Sequence, residues 1–189
     1  MRRIVLHPTE VGQWRELVDE ASRSCSIPLD EDLESYLVFL LMRFIGRAEL
    51  AGNVLALEYL HSLARNGSQS LQQLRDVGDK CLLYSGLFPL RARRRLVRIR
   101  YYVDLGRGAY QRLSDRAQTS SAQMFERLAS HFVALMDVLQ AMRDLGEQRP
   151  VDLLLLHELA DECQSERAAQ RLGEQFGAAW VDPSSDRKH

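Results

Sequence analysis

The chain has 189 residues, with 25 Lys plus Arg against 26 Asp plus Glu and a formal net charge of -1. Hydrophobic residues make up 46% and charged residues 27%, a mix that excludes a disordered, collagen-like or disulfide-stapled chain. Leucine alone outnumbers Ile, Val and Thr combined, 31 to 18, which favours helices over strands.

Residues 1–8 carry Arg2 and Arg3 and then an apolar run of three, Ile4-Val5-Leu6, too short for the apolar core of a secretion signal. A first helix is expected over 9–24, with Val11, Trp14, Leu17, Val18 and Ala21 on one face. After Pro28 a long second helix is expected over 30–65. Asp30 can cap it, Glu31 and Asp32 suit the positive end of its dipole, and Asn66-Gly67 stops it. Its apolar residues include Tyr36, Leu37, Leu40, Leu41 and Phe44, with Val38 and Phe39 on a second side.

A third helix is expected over 70–86, opened by the capping box Ser70-x-x-Gln73 and stopped before Pro89. A fourth covers 90–117. A fifth covers 120–146 from a second capping box, Ser120-x-x-Gln123. A sixth covers 150–177 with a weak point near Ser165, and its Leu153-Leu154-Leu155-Leu156 is apolar all round. The polar tail 180–189 is expected to fray. Short connections imply antiparallel neighbours. The expected fold is therefore all-α, a single-domain antiparallel bundle of about six helices over 1–179. Leu40, Leu41, Phe44, Leu74, Leu82, Ile99, Tyr102, Phe132, Leu135, Leu139, Leu156 and Leu159 are expected in its core.

The most apolar stretch, 36–45, is broken by Arg43 and falls short of the roughly 18 residues that a membrane span needs. Cys25, Cys81 and Cys163 are odd in number and widely spaced, which argues against a disulfide framework or zinc site and for a reducing compartment. A cytoplasmic protein with no membrane partner is the expectation.

Residues 74–110 are the most distinctive. Leu74-Arg75-x-x-Gly78-Asp79-x-x-Leu82-x-x-Ser85-Gly86-x-Phe88-Pro89 is followed by Tyr101-Tyr102-x-x-x-Gly106-x-x-Ala109-Tyr110. In these residues the chain resembles an uncharacterised bacterial all-helical family, a resemblance that implies no function. Gly78, Gly106 and Gly108 fall mid-helix, where glycine weakens a helix by about 1 kcal/mol relative to alanine; they imply close helix approach or room for a ligand. Between the two motifs lie Arg91, Arg93, Arg94, Arg95, Arg98 and Arg100. Arg91, Arg94 and Arg98 share one shoulder of the fourth helix and are candidates to bind an anionic ligand or an acidic protein partner. Arg95 falls in the apolar sector, and Asp79, with Asp76 second, is its expected structural ion-pair partner.

Glu58-x-x-His61 matches half of a di-iron bundle motif, without the second copy that such bundles use. His157 and Asp161 share a helix face at i,i+4, so Glu58, His61, His157 and Asp161 form a candidate metal set. His131 beside Phe132 reads as a partly buried core histidine. Ser85-Gly86 lacks the strand-turn-helix setting of a nucleophile elbow, and no glycine-rich phosphate loop is present. No catalytic set and no cofactor are indicated. The leading expectation is a non-enzymatic protein-interaction module that acts as a homodimer, from its surplus of apolar helix surface. The alternatives are a small-ligand- or metal-binding helical enzyme and, from the arginine run alone, a nucleic-acid-associated regulator. The near-neutral charge and the lack of a helix-turn-helix signal weigh against the last.

Overall fold

The structure, a computed structural model, describes residues 10–44, 68–90, 97–146 and 152–179. Among them eight α-helices are delimited, with no strand: α1 (Glu10–Ser24), α2 (Glu31–Phe44), α3 (Ser68–Gly86), α4 (Ile99–Arg116), α5 (Thr119–Ser130), α6 (Phe132–Gly146), α7 (Leu153–Asp161) and α8 (Glu166–Ala179). The fold is the expected all-α bundle. Helix α3 lies along α4 in the most extensive contact, α4 continues onto α5, and α1 packs on both α2 and α6. Helix α6 also packs on α3, and α7 pairs with α8. No described helix is long and apolar enough to cross a membrane.

All twelve residues expected in the core are buried. The alternation of apolar and polar residues at helical spacing therefore reports the inward faces faithfully. Helix α7 carries leucines on both its buried and its exposed sides. Leu155 and Leu156 are buried, while Leu153 and Leu154 face outward at 48% and 72% exposure.

Three expected helices differ in extent, each for a local reason. The fifth is two helices, α5 and α6, parted at His131, whose backbone leaves the helical region at φ -96° and ψ 13°. The Ser130 hydroxyl and the His131 ring both lie 3.0 Å from the Arg127 carbonyl oxygen, and such side-chain bonds to the backbone bend helices. His131 is exposed, not partly buried. The sixth parts at 162–165 into α7 and α8, with Gln164 at φ 58°, which places the break at the expected weak point.

The fourth begins at Ile99 because Arg98 is extended and offers no side-chain cap. The cap comes from another helix: the Ile99 amide donates to Glu158 Oε1 of α7 at 2.5 Å. Neither expected capping box forms. Helix α5 follows Gln118, which makes no cap bond. Ser70 lies inside α3 and accepts a hydrogen bond from Arg116 at 3.3 Å. Asp30 does cap α2, accepting from the amides of Asp32 at 3.1 Å and Leu33 at 3.2 Å. Residues 45–65 of the long second helix lie outside the described residues.

Helix α8 is moored to α6 by buried polar groups. Ser165 Oγ accepts from the Ala168 amide at 3.0 Å, capping α8, and donates to Asp137 at 2.7 Å. Asp144 takes Arg167 and Arg171, each at 2.7 Å, besides its neighbour Arg143. Burial pushes Asp137 up to about 6. It also opposes ionisation of Asp144, but Arg167 and Arg143 outweigh it and hold that carboxyl below the usual carboxylate range.

Candidate functional site

The contacts of α3 with α4, and of both with α6, rest on glycines. A Cβ on Gly106 would lie 2.5 Å from the Phe132 ring and 2.8 Å from the Cys81 side chain. A Cβ on Gly78 would lie 2.6 Å from the Tyr110 ring, and one on Gly86 would lie 2.6 Å from Leu139 Cβ. Gly78 and Gly106 thus serve the close approach expected of them. Because Gly78 has no side chain, the Tyr110 ring rests against α3 and reaches Asp79.

Asp79 is 1% exposed. Its Oδ1 accepts from the Tyr36 hydroxyl of α2 at 2.6 Å and from the Tyr110 hydroxyl of α4 at 2.8 Å. Its Oδ2 faces Arg43 at 3.4 Å and Arg75 at 3.7 Å. One carboxylate therefore ties three helices together. Burial raises it, the two hydroxyls and the two guanidiniums pull it back, and it settles at about 6. Burial and the adjoining Asp79 charge push both tyrosines far above their ordinary value, so each hydroxyl keeps its proton and donates.

The arginines are in turn oriented. Arg43 is shared between Asp76 and Asp79 and lies 5.1 Å from the Phe44 ring centroid. Arg75 directs Nε to the Tyr36 hydroxyl at 3.3 Å and lies 5.3 Å from that ring's centroid. Guanidiniums held by hydrogen bonds and aromatic faces are preorganised for an oxyanion.

Above this cluster a groove of about 850 Å³ opens among α2, α3, α4 and α5. Arg43, Arg75 and Arg116 line it with Phe39, Leu71, Leu113 and Phe125, and Gln72, Gln118 and Ser121 add polar groups. No carboxylate of the described residues lines it. Phe39 is 59% exposed, an aromatic ring that the core does not use. The volume is that of sites that hold drug-sized molecules.

Of the residues singled out in the sequence, Asp79 lies at this cluster. Arg91, Arg94, Arg95, Glu58 and His61 lie outside the described residues. Arg98 is described and pairs with Glu162 at 2.6 Å. His157 and Asp161 meet at 2.8 Å as an exposed pair, of a kind worth little. Among the described residues no three His, Cys, Asp or Glu side chains gather to hold a metal ion. Asp79 was expected to pair with Arg95, which lies outside the described residues; its described partners are Tyr36, Tyr110, Arg43 and Arg75. Sequence reading missed the groove arginines. The signals available were Arg75 and Asp79 at i,i+4, and Phe39 and Arg43 at the same spacing on α2.

No family model, no curated protein and no solved structure matches this chain.

Proposed function

We propose that the protein is a non-catalytic binding module that recognises an acidic ligand in the groove over Asp79. The observation that carries this reading is the charge balance. Arg43 is matched by Asp76 and Asp79, whereas Arg75 shares the buried Asp79 and Arg116 bonds only the Ser70 hydroxyl among the described residues. Two guanidiniums thus front an apolar groove with less than their own counter-charge, an arrangement complementary to an incoming anion.

Phenyl phosphate near saturation should raise the thermal midpoint by several degrees, since a ligand that binds only the folded state stabilises it. Arg116→Gln, an exposed change, should remove most of that rise. Equal rises in the wild type and Arg116→Gln, or none in either, would contradict the reading.

A second reading, self-association, rests on exposed Leu153, Leu154 and Phe176 of the α7–α8 hairpin, at 48%, 72% and 59% exposure. A sedimentation coefficient that rises with concentration is its signature.

A further inference from the structure

We infer that the occupant of the groove is a free small amphiphile, an oxyanion head on an apolar body, with its head at Arg75 and Arg116 and its body along Phe39, Leu71, Leu113 and Phe125. This rests on the reading of the groove as an anion-recognition site and names the class of ligand. An inorganic anion would use the guanidiniums and leave the four apolar side chains idle. A neutral apolar molecule would leave Arg75 with only its share of Asp79 and Arg116 without an acidic partner among the described residues. An acidic peptide presents many charges, which two under-compensated arginines do not match. The lining joins both chemistries in one groove.

Each residue has a separable part. The Arg75 Nε is engaged by the Tyr36 hydroxyl and faces Asp79, so the remainder of its guanidinium is not used by those two contacts. Arg116 lies at the last turn of α4, where it meets Ser70 of α3. A planar fork suits two oxygens of a carboxylate or phosphate. Phe39 stands on α2 at the exposed lip of the groove, and Leu113 and Phe125 lie deeper, on α4 and α5. Leu113 is 1% exposed; it supplies a floor already built into the core. A body laid there leaves water at little cost to the protein's own order.

Isothermal titration of the full chain with acetate, butanoate, hexanoate and octanoate tests the assignment. Each added methylene that is buried should tighten binding roughly fourfold, from the free energy of burying one CH₂ group. Octanol should bind at least tenfold more weakly than octanoate. Octyl phosphate should bind as octanoate does. Phe39→Ser should flatten the series, and Arg116→Gln should weaken octanoate while leaving octanol unchanged; both positions are exposed, and circular dichroism confirms that each variant is folded.

Acetate binding as tightly as octanoate, with loss in Arg116→Gln, would overturn the amphiphile and leave the anion site standing. Octanol equal to octanoate would overturn the charged head. Binding to phosphatidylglycerol vesicles without binding of octanoate or octyl phosphate would assign the face to a membrane surface and overturn the free ligand. No binding of any of these probes would overturn both the amphiphile and the anion site.

Discussion

Asp79→Ala is expected to cost about 2–4 kcal/mol of folding stability, while Asp79→Asn stays within about 1 kcal/mol of the wild type at pH 7.5. Alanine removes the acceptor of two tyrosine hydroxyls, one of them on the fully buried Tyr110, and leaves a void beside it. Asparagine keeps the shape and a hydrogen-bonding partner for both hydroxyls, and it gives up a charge that burial already disfavours. Urea unfolding of the three proteins compares them directly.

The same residue sets a pH dependence. Burial raises Asp79 and Asp137 from 3.8 to about 6. Between those values the folded chain binds protons that the unfolded chain has released, so stability falls as pH rises from about 4 to 6 and levels off above, by up to about 3 kcal/mol for each group. The bonds of Arg127 hold Asp30 below its ordinary value, and Arg167 and Arg143 hold Asp144 there against burial. These two carboxyls contribute stability above about pH 4 and lose it in stronger acid. Asp79→Asn should roughly halve the decline between pH 4 and 6.5. An unchanged decline would mean that Asp79 is not the group that titrates.

Gly106→Ala is expected to destabilise the fold by about 1–3 kcal/mol, although alanine is the better helix former by about 1 kcal/mol. The new methyl would meet the Phe132 ring at 2.5 Å and Cys81 Cβ at 2.8 Å, and both neighbours are completely buried. Phe132→Leu should be costly alone but partly relieve Gly106→Ala, so that the double variant loses less than the two single losses added. Additive losses in denaturant unfolding would show that the Phe132 ring is not what Gly106 accommodates.

How far the sequence could be read depended on distance along the chain. Helix phase is local, so the buried faces of α2, α3, α4 and α6 were legible, down to Leu82, Ile99 and Phe132. Asp79 beside Gly78 was legible as a carboxylate placed to pair with an arginine. Which partner it takes depends on which helices pack together, and no periodicity encodes that: Tyr36 and Asp79 are 43 residues apart.

The groove arginines could not be found from a run of arginines, for a related reason. Charge density along the chain is not charge density in space, and Arg43, Arg75 and Arg116 come together from three separate helices. The break at His131 escaped because Ser130 and His131 reach back to one carbonyl, a competition that composition does not reveal. The capping boxes failed because the pattern satisfies only local geometry. Ser70 is instead held by Arg116 from α4.

The most direct measurement is an amide NMR titration of the isotopically labelled full chain with octanoate. An acidic ligand in the groove should shift amides around Phe39, Leu71, Arg75, Leu113, Arg116 and Phe125 together, with a single binding constant, and Arg116→Gln should weaken that constant. Shifts concentrated at Leu153, Leu154 and Phe176, or spread over the surface without saturation, would contradict the groove as the site of recognition.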